Sequence, residues 1–275
     1  EVLAGGSSGG GAETVINLPL TKNRLALRAV AYSAIEGGWV DNIGRNLNAN
    51  SSITQGGRAS LLWEPADRWG VEITGVTQDI NARDSQYVDA PGDDRDRSTG
   101  IAEPTDNDVR IGTITIRAPL NDMTATVTSS ATHQDLFYRL EATPVSSQFG
   151  LEGVSLFSDR RQYRTYNLEA RLSPDDGVWV MGFAYLKAKS GNIAKIESAT
   201  QSKIAETRLR AVSEYAAFAE ARAELTGDIH ATLGARASLT NSRDETSDDD
   251  DSRSRRASSA SISPSIALSW QPSTR

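Results

Sequence analysis

Carboxylates are the side chains of this sequence best able to bind a ligand, and they are concentrated in two polar segments. One segment contains Asp84, Asp89, Asp93, Asp94 and Asp96. The other is the run Asp248–Asp251, which is followed by three arginines. Oxygen-rich clusters bind hard cations, but neither segment has the spaced ligands and the turning glycine of a calcium loop. We therefore interpret both as solvated loops, the first being the better candidate for contact with a substrate.

No combination of residues predicts catalysis. The two histidines, His133 and His230, lie far apart, and neither has a Ser/Asp arrangement or a second metal ligand beside it. The chain has no cysteine, which excludes thiolate chemistry and disulfides. The glycine-rich run Gly5–Gly11 lacks the Gly-Lys-Ser/Thr of a phosphate loop and is interpreted as a hairpin between the first two strands. We expect no enzyme activity, no cofactor and no metal site, and the substrate-binding residues are unknown.

Composition limits the possible partners. The net charge of −7 and the absence of a basic stripe with interleaved aromatic residues argue against nucleic acid. No run of 18 apolar residues occurs, which excludes a transmembrane helix. A membrane remains compatible, because a spanning β-strand needs only about 9–11 residues with alternate positions apolar.

Residues 229–240 show a strict alternation of that kind. Their apolar positions are Ile229, Ala231, Leu233, Ala235, Ala237 and Leu239, and polar or small residues lie between them. A period of two predicts a strand with one apolar and one polar face. Residues 24–32, 58–64, 69–78, 217–224 and 262–270 follow the same pattern. The segments Val109–Ala118 and Val178–Lys187 alternate poorly and are predicted to be strands mainly from their spacing.

The connections alternate between short and long. Short links rich in Pro, Asp, Asn or Gly occur at residues 19–23, 65–68, 119–122, 173–177 and 226–228. Long polar stretches occupy residues 35–51, 81–107, 135–162, 189–209 and 241–256. This rhythm is typical of an outer-membrane β-barrel with short periplasmic turns and long external loops. Two alternatives remain open, namely a passive porin-like channel of some 12 strands and a soluble or surface β-sandwich used for adhesion.

Several motifs resemble the barrel of TonB-dependent receptors. Residues 17–32 (NLPLTKNRLALRAVAY), followed by GGWVDN at 37–42, are similar to the opening barrel hairpins of that family. Residues 57–68 (GRASLLWEPADR) resemble the strand and turn that follow, and residues 78–79 and 84–87 resemble the next strand end and loop. Looser similarity occurs at residues 166–173, 214–220 and 233–236.

The resemblance implies an all-β fold, an antiparallel transmembrane β-barrel present only in part. A barrel of this family has about 22 strands around a plug domain. With a partial first strand at Glu1–Ala4, the chain supplies about 12 of about 22 strands. We therefore expect residues 1–275 to be the N-terminal half of the barrel, without the plug and the C-terminal strands. The sheet should be curved and half-open, with unpaired edges at Glu1–Ala4 and Ser258–Trp270.

The resemblance also implies a function for the intact parent, the energy-coupled uptake of a ferric siderophore or a carbohydrate-type nutrient. The expected location is the cell outer membrane of a Gram-negative bacterium. The expected partners are the lipid bilayer, the plug domain, the TonB protein and a small-molecule nutrient. Loops near Asp93 and Asp249 should lie outside the cell and the turn at Asp67 in the periplasm. Trp63, Trp69 and Trp270 should form an aromatic girdle near the periplasmic turns.

Overall fold

The computed structural model of the chain describes residues 8–89, 95–248 and 251–270, and these residues form a β-structure. The strands are β1 (Gly10–Thr21), β2 (Leu25–Glu36), β3 (Asp41–Asn42), β4 (Ser52–Trp63), β5 (Gly70–Ala82), β6 (Asp96–Arg97), β7 (Thr105–Leu120), β8 (Met123–Glu141), β9 (Ser155–Pro174), β10 (Trp179–Ser198), β11 (Ser202–Thr226), β12 (Ile229–Ser247) and β13 (Ser252–Trp270). A 3-10 helix covers Thr143–Phe149. In the described residues no helix is long and apolar enough to cross a bilayer.

Eleven strands form one antiparallel sheet in which each strand pairs with its neighbours in sequence. The sheet is open, because β1 and β13 each pair on one side only. The expectation of an unclosed antiparallel sheet is confirmed, including the two strands predicted mainly from spacing, which are β7 and β10. The strand expected at Glu1–Ala4 lies outside the described residues, so the first described edge is β1.

The strand register divides the side chains into two faces, because residues directly opposite each other point to the same side of a sheet. Leu233 lies opposite Ala221 and Ile266, whereas Thr232 lies opposite Arg222 and Ala267. Tracing these pairs across the sheet defines an apolar face, which carries Leu27, Leu61, Ile73, Ile114, Leu172, Phe183, Leu233 and Ile266. The opposite side is the polar face, which carries Arg28, Ser60, Thr74, Thr115, Arg171, Glu220 and Thr232.

The apolar face is open to its surroundings. Leu233 is 58% exposed and Ile266 is 74% exposed. The other sheet formed by the described residues is the two-residue pairing of β3 with β6, which is far too small to cover this face. The β-sandwich alternative is therefore wrong for this part of the chain, since a sandwich buries its apolar face against a second sheet. Trp63 and Trp270 lie on the apolar face near the short turns, as the girdle hypothesis predicts.

The short turns match the sequence prediction. Left-handed backbone angles occur in four of them, at Asn23 (φ 56°), Arg68 (φ 65°), Asn121 (φ 55°) and Gly177 (φ 68°). Asn and Gly tolerate this conformation, whereas Arg does so at a cost. The Arg68 guanidinium donates hydrogen bonds to the carbonyl oxygens of Asn121 (2.9 Å) and Met123 (3.2 Å) and to the Asp175 carboxylate. These bonds connect three neighbouring turns at one end of the sheet.

The prediction of a long loop is wrong for two of the five segments. Residues 189–209 are mostly strand, because β10 continues to Ser198 and β11 begins at Ser202. In 241–256, likewise, β12 continues to Ser247 and β13 begins at Ser252. Both segments have polar residues on both faces, so they lack the alternation that reveals a strand. Backbone pairing continues there because a two-sided polar hairpin needs no apolar cover in water.

The prediction of a hairpin at the glycine-rich run is also wrong for the described residues of that run. Gly10 and Gly11 belong to β1, where they pair with Ile35 and Ala34 of β2. The backbone hydrogen bonds of β2 therefore hold this segment in an extended conformation, which glycine allows although it does not favour it. Residues 1–7 of the same segment lie outside the described residues.

A pair of strand glycines provides a test of this packing. A Cβ added at Gly182 would lie 2.5 Å from Cζ of Phe218 and 2.6 Å from the Ala170 carbonyl oxygen, whereas one added at Gly75 meets nothing within 4 Å. We expect Gly182→Ala to lower the free energy of unfolding by about 1–3 kcal/mol. Gly75→Ala should leave it unchanged or raise it by about 0.4–1 kcal/mol, because it restricts the unfolded chain. Denaturant titration of both variants in detergent measures the difference, and equal effects would contradict the packing described at Gly182.

Candidate functional site

The polar face carries a groove of about 490 Å³ across β8 to β12. Charged side chains in the groove are paired. Nη2 of Arg236 lies 2.9 Å from Oε1 of Glu214, and Nε of Arg171 lies 3.0 Å from Oε1 of Glu169. Asn167 donates a 3.3 Å hydrogen bond to Ser130 in the same groove. Such a surface offers hydrogen-bonding groups to water, to another protein segment or to a polar solute.

Hydroxyl and amide groups continue this wall towards β2. The Ser60 and Thr74 hydroxyl oxygens are 2.9 Å apart, and the Tyr32 hydroxyl donates to Oε1 of Gln78 at 2.8 Å. Each group uses only part of its hydrogen-bonding capacity in these contacts. The polar face is therefore suited to a water-filled space.

Residues 37–51, 83–89 and 95–104 fold into a compact unit, which we call the loop cap. Its interior is polar. Oδ1 of Asn50 accepts hydrogen bonds from the backbone N–H groups of Trp39 (2.6 Å) and Val40 (2.8 Å). Oδ1 of Asp84 accepts from the N–H groups of Ser85 and Glu103, both at 2.9 Å. Side-chain acceptors therefore satisfy buried backbone donors that have no strand partner.

Three ion pairs hold the loop cap together, and Arg97 takes part in two of them, with Glu103 and Asp89. The Arg97 guanidinium donates to both carboxylate oxygens of Glu103, at 2.9–3.1 Å, and Glu103 is only 1% exposed. Oε1 of Glu103 also accepts the N–H of Glu141 at 2.8 Å, which attaches the loop cap to the end of β8. Arg45 pairs with Asp84 at 2.9 Å. These charges are buried but paired, as burial of charge requires.

The acidic segment predicted to contact substrate has a structural role where it is described. Asp84 is buried inside the loop cap, and Asp89 accepts from Arg97 at 2.7 Å and from the N–H of Ser98 at 2.6 Å. Asp96 forms the first pair of the β3–β6 sheet. Asp93 and Asp94 lie outside the described residues. The loop cap also presents apolar and aromatic side chains to solvent, among them Ile43, Leu47 and Tyr87, beside polar ones such as Asn46 and Arg83.

The segment that follows β8 packs against the polar face. Ala142 and Leu151, on either side of the 3-10 helix, form a buried cluster with Ile196 of β10, and Phe157 of β9 packs against it. Phe157 and Ile196 are direct partners on the polar side of the sheet. This segment therefore narrows the space in front of the polar face at its loop end. Sequence periodicity could not find it, because its apolar residues follow no regular spacing.

A hydrogen-bonded triad with a buried carboxylate at its centre lies below this segment. The Tyr138 hydroxyl donates to Oδ2 of Asp159 at 2.9 Å, and Arg161 donates to the same oxygen at 2.8 Å. Asp159 is 2% exposed. Burial, followed by the hydrogen bond to Asp159, raises the pKa of the Tyr138 phenol. The triad ties β8 to β9 near the loop end.

Three carboxylates that the sequence analysis did not single out converge at the loop ends of β5 and β7. Oxygen atoms of Asp79, Asp106 and Asp108 all lie within 4.8 Å of one another. Burial raises the pKa of the Asp79 and Asp106 carboxyl groups, and repulsion from Asp108 raises it further. Asp106 and Asp108 are two residues apart, so the sequence alone indicates that their side chains lie on the same face of β7. Only the register between β5 and β7 brings Asp79 to them. The group could hold a hard cation.

The remaining sequence candidates occupy separate positions. Nε2 of His133 lies 2.7 Å from Oδ2 of Asp135, and both residues lie on the apolar face of the sheet. His230 lies on the polar face opposite Glu224 and Ser269. Asp248 and Asp251 close the turn between β12 and β13, whereas Asp249 and Asp250 lie outside the described residues. The described structure does not bring these residues together into one site.

The buried ion pair of the loop cap supports a prediction. Glu103→Gln removes the buried one of the two carboxylates that Arg97 faces, so local opening of residues 95–104 should become easier by about 1.5–3 kcal/mol. Hydrogen exchange followed by mass spectrometry should show faster exchange in that segment and at the Glu141 amide. Glu36→Gln, at the exposed end of β2, is the matched control and should change nothing. Unchanged protection in the Glu103 variant would show that the pair does not hold the loop cap.

Comparisons with known proteins agree with this architecture. A comparison with curated proteins gives no significant match. Among solved structures, the ferric yersiniabactin uptake receptor FyuA from Yersinia pestis matches with a TM-score of 0.76 and 13% identity, over 95% of this chain and 42% of that one. The siderophore receptor PiuA from Acinetobacter baumannii matches with a TM-score of 0.76 and 14% identity, over 99% and 46%. The ferripyoverdine receptor of Pseudomonas aeruginosa matches with a TM-score of 0.67 and 11% identity, over 99% and 40%.

These likenesses concern the fold, and the chain spans less than half the length of each of the three structures. The sequence itself matches the model of the family described as "TonB dependent receptor-like, beta-barrel" over residues 30–274. That match includes every described strand except β1 and the beginning of β2. The chain therefore belongs to the TonB-dependent receptor β-barrel family.

Proposed function

We propose that residues 1–275 form the N-terminal half of the barrel of an outer-membrane transporter that takes up a ferric siderophore or a carbohydrate-type nutrient with energy supplied through TonB. The observation that carries the proposal is the separation of one apolar and one polar face over eleven strands, in the fold of a family of receptors. The plug domain and the C-terminal strands belong to the rest of the parent protein.

The apolar face is assigned to lipid and the polar face to the lumen. A bilayer has no water to satisfy polar groups, so the wall of a barrel turns its apolar side outward. The exposed tryptophans beside the short turns then lie at the periplasmic interface, where amphipathic rings are favoured. The paired charges of the polar groove, including Glu169–Arg171 and Glu214–Arg236, face the plug and the water around it.

The two loop structures support a ligand-binding role for the mouth of the barrel. The 3-10 segment packs over the polar face, and the loop cap presents Ile43, Leu47 and Tyr87 to solvent. Aromatic and aliphatic side chains around a polar lumen suit a solute that has both apolar and chelating parts. The names of the three similar structures refer to siderophore receptors, which favours a ferric siderophore over a carbohydrate.

The assignment of faces predicts a difference between neighbouring residues of β12. In the intact protein Leu233→Arg should cost roughly 2–4 kcal/mol, because it places a charge in the hydrocarbon region. Thr232→Arg should cost far less, because its side chain enters the lumen. Denaturant titration in lipid vesicles compares the two free energies of unfolding. Equal losses would be incompatible with this assignment.

The orientation can be tested with single cysteines, since the chain has none of its own. Leu47 is 78% exposed in the loop cap, and Asp67 is exposed in a short turn at the other end of the sheet. On whole cells, an impermeant maleimide should label Leu47→Cys and leave Asp67→Cys unmodified. After the outer membrane is permeabilised, both should react. Labelling of Asp67→Cys alone on whole cells would reverse the orientation.

Transport is tested in a Gram-negative host that lacks its own siderophore receptors and expresses the full-length protein. The probes are radioactive iron carried by catecholate, hydroxamate and phenolate siderophores, together with labelled maltooligosaccharides. We expect accumulation of at least one probe, and its loss in a matched strain without TonB. Accumulation that is equal in both strains would indicate a passive channel and reject the proposal, as would the absence of uptake of every probe by a correctly inserted protein.

A further inference from the structure

We propose that the solute taken up by this receptor is a multiply anionic ferric chelate, and that Arg208, Arg210 and Arg255 bind its negative charge on the lumenal wall. These three residues, together with the carboxylate of Asp244 that they surround, are called the arginine cluster. The inference narrows the substrate class given under the proposed function, and it rests on the assignment of the polar face to the lumen made there.

The strand register assembles the arginine cluster from three neighbouring strands. Asp244 is twelve residues beyond Thr232 in β12, an even separation, so its side chain lies on the polar face. Asp244 is the direct partner of Arg210 of β11 on one side and of Arg255 of β13 on the other. Arg208, two residues before Arg210, lies on the same face, diagonally across from Asp244. The four charged side chains therefore occupy one patch near the loop end of the sheet.

The single carboxylate of the patch cannot neutralise three guanidinium groups. Nε of Arg208 lies 2.9 Å from Oδ1 of Asp244, and Nη2 of the same arginine contacts Oδ2, so this pair is bidentate. The hydrogen bonds from Arg208, and the charges of Arg210 and Arg255, lower the pKa of the Asp244 carboxyl group. None of the ion pairs formed by the described residues includes Arg210 or Arg255. The arginine cluster therefore has an excess of positive charge, although the net charge of the whole chain is −7.

The charged residues around the arginine cluster do not supply the missing anion. Glu206 and Lys203 lie on the same face of β11 further towards the loop end, and their opposite charges offset each other. Arg253, two residues from Arg255 in β13, pairs with Asp251 at 2.8 Å. Within the described part of this end of the wall, the excess charge therefore belongs to the arginine cluster.

The position of the arginine cluster favours a small solute. The direct partners of Arg208 and Arg210 in β10 are Asn192 and Ser190, which add neutral hydrogen-bonding groups to the patch. Asn192 precedes Ile196 by four residues, and Ile196 belongs to the buried cluster under the 3-10 segment. The arginine cluster therefore lies about 13 Å below that segment, on the wall of the space that the segment narrows.

A chelate of iron(III) with several carboxylate or catecholate groups matches this patch. Such a chelate keeps a negative charge, because its deprotonated ligand oxygens outnumber the positive charges of the metal. Guanidinium groups donate paired hydrogen bonds to anionic oxygens in a planar geometry. A neutral tris-hydroxamate chelate or a carbohydrate has no charge to offer Arg210 and Arg255. The arginine cluster therefore favours an anionic chelate over both of these alternatives.

The test measures the binding of iron chelates to the full-length protein in detergent by isothermal titration calorimetry. The anionic probes are a ferric tris-catecholate and ferric citrate, and a neutral ferric tris-hydroxamate is the comparison. Arg210→Gln/Arg255→Gln should bind the anionic probes roughly 100-fold more weakly, since each charge-assisted hydrogen bond contributes about a factor of ten or more. The matched control is Arg243→Gln/Arg256→Gln, which removes the same charge from adjacent residues on the opposite face. This control should bind as the wild-type protein does.

Two further variants separate the effect of charge from that of structure. Arg210→Lys/Arg255→Lys keeps the charge and should lose at most about tenfold in affinity for the anionic probes, because only the planar donor geometry is removed. Asp244→Asn removes the internal carboxylate that competes for the arginines, so it should bind the anionic probes roughly tenfold more tightly. The affinity for a neutral tris-hydroxamate should be the same in every variant.

Equal affinity of the wild type and Arg210→Gln/Arg255→Gln for the anionic probes would overturn the proposal, and so would the absence of anionic-probe binding by the wild type. A loss that is equal for the neutral probe, accompanied by a lower unfolding temperature, would show that the arginines hold a segment of the plug and would also overturn it. Failure of the proposed function gives a different result, namely no TonB-dependent uptake of any probe. Failure of this inference alone leaves uptake intact but independent of the charge of the chelate.

Discussion

Backbone pairing between neighbouring strands is the constraint on which the rest of this structure depends. A one-residue change of register would move every side chain of a strand to the other face. In β12, for example, such a shift would exchange Leu233 with Thr232 and disrupt the apolar row that runs from Ala221 to Ile266. The hydrogen bonds of the ladder supply continuity, and the alternation of the sequence selects the register that keeps the two faces separate.

The energetics of the two faces differ. The apolar face gains little from contacts within the chain, because its large side chains remain exposed, and a lipid environment would remove that surface from water. The polar face is stabilised by paired charges and hydroxyl contacts, such as Arg236 with Glu214 and Ser60 with Thr74. Exposed ion pairs of this kind contribute little to stability individually. Their main consequence is a polar surface that water can wet.

The loop end of the sheet is stabilised by buried hydrogen-bond acceptors and not by apolar packing. The loop cap has few apolar residues to bury, and its interior is built from Glu103, Asp84 and Asn50, each of which accepts hydrogen bonds from backbone groups. Removal of such an acceptor leaves a buried donor without a partner, which costs more than the hydrogen bond contributes. A loop of this construction keeps its shape without a hydrophobic core and leaves its aromatic and aliphatic residues Ile43, Leu47 and Tyr87 exposed to solvent.

The sequence by itself determined the strands with alternating apolar and polar residues, the short turns and the two faces, because period-two alternation and turn residues act locally. It determined the family through the motifs at residues 17–32 and 57–68. Only the tertiary structure decided where β10 to β13 end, because polar residues on both sides of a hairpin carry no periodic signal. It also decided which charges meet. Asp84 became a structural residue of the loop cap, and Asp79 joined Asp106 and Asp108. These outcomes depend on register between strands, which is a long-range property that no single segment encodes.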